Sequence, residues 1–187
     1  YPGQEGGYAL GDLLFGDADF SGRLPITFPE DGDQLPPFDD YSMRERTYKY
    51  MTHNVFFPFG YGLSYGRADY AGLNATGNRK TGVSVNFTLT NTGDKQIVET
   101  PQVYVAAPSA GSTAPLQQLA AFRRVTIAPK ASVDVTIDIP LEQLMTVQAD
   151  GSRSLVRGKY AITVGSAAPS PRSEELGVQA LTTTLSL

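Results

Sequence analysis

Strict alternation of apolar and polar residues is the strongest pattern in the second half of the chain. Residues 83–90 read Val-Ser-Val-Asn-Phe-Thr-Leu-Thr, and the turn residues Asn91-Thr-Gly93 follow. Successive side chains of a strand point to opposite faces, so this run predicts a β-strand with one buried face. The residues on that face are Val83, Val85, Phe87 and Leu89.

Similar runs continue to the end of the chain, separated by turn residues such as Pro129-Lys130. They are Thr100 to Ala106, Leu119 to Ile127, Ser132 to Ile139, Lys159 to Val164 and Val178 to Leu187, with a helical turn expected over Leu141 to Val147. Roughly seven short strands with turns between them are typical of an immunoglobulin-like sandwich. The expected core includes Val85, Phe87, Leu89, Val103, Val105, Phe122, Val135, Ile137, Ile162 and Val164.

The first part of the chain has a different pattern. Apolar residues at 3,4 spacing predict a short helix over Tyr8 to Phe15, and Gly22 to Pro29 contains prolines that suit an edge strand. Residues 30–47 are acidic and aperiodic, which indicates a loop, and Tyr48 to Met51 could form a brief strand. One helix and one edge strand cannot enclose a core, so we interpret these pieces as the end of an α/β domain.

Between these two patterns lies an aromatic segment, Phe56 to Tyr65, with five aromatic residues, two glycines and one proline. Pro58 fixes its own φ, while Gly60 and Gly62 permit backbone angles that a side chain would forbid. Aromatic rings bury much apolar area, so we expect this bent connector to be wedged between two bodies. It should dock against the sandwich or against a further part of the α/β domain.

Charge divides the chain at a similar place. Residues 1–46 carry a formal charge of −7 and residues 47–187 carry +3, which gives −4 for the 187 residues. We therefore predict a remnant of an α/β domain over 1–46, an aromatic connector over 47–67 and an immunoglobulin-like β-sandwich over 68–187. The fold is expected to be mainly β.

Composition excludes several classes of function. The absence of cysteine excludes disulfides, thiolate catalysis and a cysteine zinc site. Net acidity without a cluster of Lys and Arg argues against nucleic acid as a partner. No run approaches the length of a membrane span, and we expect no cofactor. Because the chain opens with Tyr1-Pro-Gly rather than Met or a leader, we expect it to be cut from a longer polypeptide.

Three kinds of polar residue invite a catalytic or metal-binding interpretation. Glu5 lies in a glycine-rich loop at a helix start, but we favour a role in capping the helix or in hydrogen bonding within the loop. Glu30-Asp-Gly-Asp33 with Asp39-Asp40 could bind calcium, although a solvated loop is favoured because the spacing is irregular. His53 is the only histidine, so we treat it as a loop residue.

Aromatic residues and two sequons leave further alternatives open. The rings of Tyr41, Tyr48, Tyr50, Phe56 and Tyr61 could form a platform on which sugars stack, but we favour contacts between domains because Pro and Gly accompany them at a boundary. Asn74-Ala-Thr76 and Asn86-Phe-Thr88 are glycosylation sites only if the source is a secreted eukaryotic protein.

Several motifs occur in an order that resembles glycoside hydrolase family 3, the β-glucosidases and β-xylosidases. They are Tyr1-Pro-Gly-Gln-Glu-Gly-Gly, Leu14-Phe-Gly, Ser21-Gly-Arg-Leu-Pro-Ile-Thr-Phe-Pro29, Arg46-Thr-Tyr-Lys-Tyr50, Phe57-Pro-Phe-Gly-Tyr-Gly-Leu-Ser-Tyr65 and Thr90-Asn-Thr-Gly93. Leu119-Ala-Ala-Phe122 and Gly158-Lys-Tyr-Ala-Ile-Thr-Val-Gly165 are similar to its fibronectin type III-like domain. The resemblance covers essentially the whole chain and is to the C-terminal part of the family.

The resemblance implies the function of a parent enzyme rather than a site in this chain. Family members are retaining enzymes with two carboxyl groups about 5 to 5.5 Å apart, and neither catalytic motif is present here. We therefore expect no catalytic residue in this chain, a structural role beside the active-site domains, and the N-terminal remainder of the enzyme as partner. The parent would hydrolyse terminal β-linked sugars, with β-glucosidase favoured over β-xylosidase, and be secreted or periplasmic.

Two other classes of function stay open beside this one. The sandwich could be a free-standing carbohydrate- or surface-binding module, or a purely structural interaction domain. Residues 1–67 discriminate between these classes, because a self-contained module would not begin with a single helix and a proline-interrupted strand. We therefore favour the enzyme segment.

Overall fold

A computed structural model describes residues 3–108, 114–148 and 150–187 of the chain. Its α-helices are short: α1 (Gly6–Phe15), α2 (Thr47–Tyr50) and α3 (Pro171–Glu175), with 3-10 turns at Gly32–Gln34 and Leu141–Leu144. The strands are β1 (Phe28–Pro29), β2 (Val55–Phe57), β3 (Ala68–Asn78), β4 (Gly82–Asn91), β5 (Ile97–Glu99), β6 (Gln102–Ala106), β7 (Gln118–Phe122), β8 (Val125–Ile127), β9 (Ser132–Ile139), β10 (Thr146–Val147), β11 (Arg153–Ser154), β12 (Lys159–Gly165) and β13 (Ala180–Ser186). No helix in these ranges is long and apolar enough to cross a membrane.

Residues from Ala68 onward form the predicted β-sandwich. One sheet has the strand order β13-β12-β6-β7 and the other the order β3-β4-β9, and β5 pairs with β8. All of these pairs are antiparallel. In β4 every second residue is buried, and Val83, Val85, Phe87 and Leu89 all point into the core. The mainly β fold with a sandwich is therefore confirmed.

Nine of the ten predicted core residues are buried, and Phe122 is the exception, with 65% of its surface exposed. Phe122 lies opposite Gln102 in the pairing of β6 with the edge strand β7, so both lie on the same face of the sheet. That face points away from the sandwich core, because Val103 and Val105 occupy the inner face. The prediction for Phe122 is wrong.

A related error concerns the predicted single strand from Leu119 to Ile127. The structure divides it into β7 and β8, which pair with different strands. Arg123 and Arg124 separate the two pieces. Since residues 122 and 125 are an odd number apart, they could not share a face of one regular strand. The expected turn at Leu141 to Val147 is present as a 3-10 turn, and β10 follows it.

The N-terminal segment contains the predicted helix and little regular strand. Helix α1 contains no buried residue. Of the predicted strand Gly22 to Pro29, only β1 is regular, and it pairs with β2. Upstream, Leu24 exchanges backbone hydrogen bonds with Gly60 and Tyr61, at 2.8 and 2.9 Å. Pro25, which has no N–H, follows Leu24 directly.

The brief strand predicted at Tyr48 to Met51 is wrong, because these residues lie in and just after the single helical turn α2. The backbone N–H of Tyr48 donates to Thr27 Oγ1 at 3.0 Å, and that of Met51 donates to the carbonyl of Thr47 at 2.9 Å. A four-residue aromatic pattern suits either conformation, and here tertiary contacts decide between them.

The aromatic connector lies against the sandwich. Gln102 Nε2, on β6, donates to the carbonyl of Gly60 at 3.1 Å, and the N–H of Ala168 donates to the carbonyl of Phe59 at 2.8 Å. Gly60 has φ +80°, and a Cβ there would overlap the side-chain amide of Gln102. A Cβ on Gly62 would overlap the backbone carbonyl of Gly22. These glycines are required because the connector approaches both of its neighbours closely.

Candidate functional site

The most ordered group of polar and aromatic side chains lies where the connector meets the sandwich. Tyr48 stacks on Phe59 with ring centroids 4.4 Å apart and meets Tyr104 edge to face at 5.8 Å. The hydroxyl of Tyr48 accepts from the N–H of Leu119 at 3.0 Å, and that of Tyr104 donates to Gln102 Oε1 at 2.6 Å. The group therefore joins α2 and the connector to two strands of one sheet.

Burial in this group changes the pKa values of its two tyrosines. Burial raises the pKa of Tyr104 far above its usual range and also raises the pKa of Tyr48. Both hydroxyls therefore stay protonated at physiological pH. Their role here is structural hydrogen bonding.

A second group, on another side of the connector, centres on an ion pair. Arg23 Nη2 lies 2.8 Å from Glu99 Oε1, and the two side chains are 11% and 10% exposed. Glu99 also accepts from the N–H of Thr100 at 2.7 Å. Arg23 belongs to the N-terminal segment and Glu99 to β5, so the pair links residues that are 76 positions apart. Tyr70, on β3, lies beside them.

Hydrogen bonds brace the loop before α2 from within. Arg46 donates from Nε to the carbonyl of Ser42 at 3.1 Å and from Nη2 to the carbonyl of Asp40 at 2.7 Å. Glu45 accepts from the N–H and from the hydroxyl of Thr52, each at 2.7 Å. The Thr52 hydrogen bonds lower the pKa of Glu45, and the backbone N–H of Ser42 has the same effect on Asp40.

Glu5, the carboxylate that the sequence analysis weighed as a catalytic candidate, is exposed. It occupies the N-cap position of α1, but its side chain makes no capping hydrogen bond. Its backbone carbonyl accepts from the N–H of Ala9 at 3.0 Å. The expected side-chain cap is therefore wrong, and the structure brings no partner to this carboxylate within the part of the chain that it describes.

The acidic loop is solvent-exposed at most of its carboxylates. Asp31 caps the 3-10 turn Gly32–Gln34 by accepting from the N–H of Asp33 at 3.2 Å. Across residues 3–108, 114–148 and 150–187, no three or more His, Asp or Glu side chains lie close enough together to hold a metal ion. His53 lies on the surface with Nε2 3.8 Å from Glu45.

The five aromatic residues weighed as a sugar platform are not brought together. Tyr48 and Tyr61 are stacked within the connector region, Tyr61 on Phe57 at 5.5 Å. Tyr41 and Phe56 are exposed, and so is Phe38, which the pattern did not single out. Of the two sequons, Asn74 and Asn86 lie opposite each other on β3 and β4. Asn86 Oδ1 accepts from the hydroxyl of Thr136 at 2.7 Å.

Pattern reasoning missed Arg23, Glu99, Gln102 and Tyr104, which make polar contacts at the interface. One signal for Glu99 was available, because it shares a strand face with the buried Ile97. A carboxylate at an inward position needs a cation or several N–H donors. Gln102 and Tyr104 gave no such signal, since their face of β6 is outward for the sandwich and is covered only by the connector.

Glu99 at this interface and two carboxylates within the N-terminal part are held by donors from the chain. Glu99 is held by Arg23 and Thr100, and Glu45 by Thr52. Asp19 accepts from the hydroxyl of Ser64 at 2.7 Å and from the N–H of Tyr65 at 2.8 Å. Carboxylates used in this way fix backbone and side chains in place. The arrangement therefore suits the joining of two structural units.

Comparison with protein families matches two regions of the chain. Residues 1–65 match the model of the glycosyl hydrolase family 3 C-terminal domain, and residues 99–168 match that of the fibronectin type III-like domain. The chain belongs to glycosyl hydrolase family 3. The two matches lie on the two sides of the interface described above.

Relatives in family 3 include a xylan 1,4-beta-xylosidase from Xylanibacter ruminicola, 36% identical over 88% of this chain and 19% of its own length. A periplasmic beta-glucosidase from Salmonella typhimurium is 30% identical over 88% of this chain and 24% of its own length. The crystal structure of a family 3 beta-glucosidase from Bifidobacterium adolescentis superimposes with a TM-score of 0.83 at 27% identity, over 98% of this chain and 28% of that one. The chain thus spans about a fifth to a quarter of the length of these proteins.

Proposed function

We propose that this chain is the C-terminal structural segment of a retaining, exo-acting β-glycosidase. The favoured parent is a β-glucosidase that hydrolyses terminal β-linked sugars, and a β-xylosidase comes next. The observation that carries the proposal is the interface, where the family 3 part and the fibronectin-like part are held together by hydrogen bonds, stacked rings and a buried ion pair. Such an interface supports neighbouring domains.

The proposal places catalysis outside this chain. Retaining hydrolysis needs a nucleophile and an acid/base about 5 to 5.5 Å apart on either side of one anomeric carbon. The carboxylates of Asp19, Glu45 and Glu99 are engaged with donors, and Glu5 is isolated on the surface. We therefore assign both catalytic carboxylates to the N-terminal remainder of the enzyme and no cofactor to this segment.

Exposed apolar side chains indicate where that remainder would pack. Helix α1 exposes Tyr8, Leu10, Leu14 and Phe15, and this apolar surface is large for a ten-residue helix. Such surface marks an interaction site rather than a solvated face. We propose that residues 1–46 complete an α/β domain together with the N-terminal remainder of the enzyme. Residues 47–67 then connect this domain to the sandwich, which residues 68–187 form.

The compartment follows from the same proposal. The Salmonella relative is named a periplasmic enzyme. We propose that the parent is secreted or periplasmic. Detection of the intact enzyme in the cytoplasmic fraction alone, with none in the periplasm or medium, would contradict this assignment.

Activity assays test the main proposal. The purified chain should not hydrolyse nitrophenyl β-glucoside or nitrophenyl β-xyloside, whereas co-expression with the N-terminal remainder should restore hydrolysis. Turnover by the chain alone that is abolished in Glu5→Gln would contradict the proposal and make Glu5 catalytic. The ratio of the two activities in the restored enzyme would decide between glucosidase and xylosidase.

Two exposed rings favour a second candidate, a carbohydrate-binding role for the isolated chain. Phe38 and Tyr41 are 96% and 89% exposed, and Asp39 lies between them in the sequence. Aromatic faces bind the apolar faces of pyranose rings. Binding of the chain to an insoluble β-glucan that is lost in Phe38→Ala and Tyr41→Ala, but kept in Phe56→Ala, would support this candidate over a purely structural segment.

A further inference from the structure

A cavity of about 110 Å³ lies between the connector and the sandwich. Arg23 and Ser64 line it on one side, and Tyr70, Glu99 and Gln179 line it on the other. The sheet surface of the sandwich and the N-terminal segment therefore both contribute to its wall. The ion pair of Arg23 with Glu99 lies in this wall.

Two buried donors in the wall have no protein partner. In the described part of the chain, neither Arg23 Nε nor the hydroxyl of Tyr70 has a hydrogen-bond partner. The side chain of Arg23 is 11% exposed, and Tyr70 is 8% exposed. Burial raises the pKa of Tyr70 well above its usual value, and the Glu99 carboxylate acts in the same direction, both through its charge and as a nearby hydrogen-bond acceptor. The hydroxyl therefore keeps its proton and must donate it.

The same wall offers an acceptor. Both bonds that the described residues donate to the Glu99 carboxylate, from Arg23 and from Thr100, end at Oε1. Oε2 is therefore available to accept a hydrogen from a bound molecule. The site thus calls for a ligand that accepts from Arg23 and Tyr70 and donates to Glu99.

Water matches this requirement in size and in chemistry. A cavity that holds one water needs roughly 10 to 15 Å³ and two to four polar partners, and this cavity exceeds the first limit and supplies the second. A buried donor left without an acceptor destabilises the folded state, so an oxygen ligand here stabilises it.

We propose that Arg23, Glu99 and Tyr70 bind internal water in this cavity and that the hydrated group acts as a latch, fixing the orientation of the N-terminal segment on the sandwich. Arg23 lies next to Gly22, whose carbonyl packs against Gly62 of the connector. Movement of the segment would therefore separate Arg23 from Glu99. The latch deepens the structural role proposed above, but it is tested on the 187-residue chain without any activity assay, so either proposal can fail alone.

The sign of one substitution tests the water. Tyr70→Phe removes the buried hydroxyl, and if that group is bonded to water the equilibrium constant for unfolding should rise roughly two- to tenfold. Tyr160→Phe is the matched control, because the Tyr160 hydroxyl is bonded to the carbonyl of Val156 at 2.7 Å and its loss should act in the same direction. An unchanged or smaller unfolding constant in Tyr70→Phe would overturn the water site.

Nuclear Overhauser contacts between water and the Arg23 Nε–H or the Tyr70 hydroxyl would support the site directly, even if a variant fails to fold. Their absence, when such contacts are seen at other internal waters of the same sample, would contradict it.

The latch is tested by a distance measurement. The chain has no cysteine, so spin labels can be attached to Ile26→Cys in the N-terminal segment and Asp138→Cys in the sandwich, both at exposed positions. The labelled chain without further substitution should give one narrow distance distribution between the two labels. Arg23→Gln or Glu99→Gln should widen or shift this distribution. Glu175→Gln is the control, since its pair with Arg172, also 2.8 Å, lies within α3.

Two outcomes would overturn the latch. One is a distance distribution in Arg23→Gln that is identical to that of the labelled chain without this substitution. The other is a distribution in the unsubstituted labelled chain that is already as wide as that of the variants. Circular dichroism on the same samples verifies that the sandwich is folded, so that a change in distance reports the segment alone.

Discussion

Phe87 is central to the sandwich core, where it is 2% exposed and its ring stacks on Tyr70 with centroids 6.1 Å apart. Truncation to alanine removes this contact and leaves a cavity that the surrounding strands fill only in part. We expect Phe87→Ala to lower the free energy of unfolding by about 3 to 5 kcal/mol, measured by denaturant melts.

Phe122→Ala is the matched control for Phe87→Ala. Its ring is mostly exposed, so the same chemical change should cost less than about 1 kcal/mol. A loss below 1 kcal/mol in Phe87→Ala would remove Phe87 from the core, whereas equal losses in the two variants would contradict the difference in burial on which the comparison rests.

Glu45 provides a prediction of pH dependence. Its pKa is lowered from 4.5 because Thr52 donates two hydrogen bonds to the carboxylate. A lowered pKa in the folded state means that the stabilisation is present above the usual value and is lost as the pH falls through the folded value. The amide resonance of Thr52 should therefore shift with a midpoint below 4.5, and this shift should disappear in Glu45→Gln. A midpoint above 4.5 would contradict the bonded geometry.

At the scale of residues, alternation predicted burial wherever a strand has one inner and one outer face, as in β4. It failed for Phe122, because a pattern cannot reveal that a bend ends one strand and begins another. It also missed Glu99 and Gln102, whose partners Arg23 and Gly60 are 76 and 42 positions away. The sequence alone carries no register between such distant segments.

Helix α1 has little support from the rest of the described chain. It has ten residues, contains no buried residue and lacks a side-chain N-cap. Isolated helices shorter than about 12 residues are marginal in water. Amide hydrogens of Leu10 to Leu14 should therefore exchange much faster than those of Val83 to Leu89, as measured by hydrogen exchange on the purified chain.

Addition of the N-terminal remainder should slow exchange in α1 if that remainder covers its apolar face. Exchange in α1 as slow as in β4, in the chain without a partner, would contradict the proposed dependence of the helix on the remainder. The sandwich amides serve as the internal reference, because their environment should not change on assembly.

The elements themselves were predictable where the period extended over eight or more residues, as in β4, β9 and α1. The conformation of shorter segments was harder to predict from their pattern. Tyr48 to Met51 was expected to be a strand and contains α2, because its conformation is set by the stack of Tyr48 on Phe59 and by the bond to Thr27. The bent connector was predicted from Pro58 and its glycines, since these residues restrict or permit backbone angles locally.

At the scale of the whole molecule, two unlike units share one interface. The fibronectin-like sandwich has its own hydrophobic core. The described residues of the N-terminal segment contribute nothing to that core, and α1 contains no buried residue. The segment is held to the sandwich through the connector and through the ion pair of Arg23 with Glu99. The sequence predicted this division from charge and pattern. It did not reveal the cavity at the junction, because the cavity exists only once both units are docked.

The central claim is that this chain supports the enzyme without supplying its catalytic carboxylates. The most direct test is to assemble the chain with the N-terminal remainder, react the complex with a fluorinated glycoside that traps the covalent intermediate of retaining enzymes, and measure the mass of each polypeptide. We predict one sugar adduct on the N-terminal polypeptide and an unchanged mass for the 187-residue chain. A sugar adduct on any carboxylate of the 187-residue chain would contradict the claim.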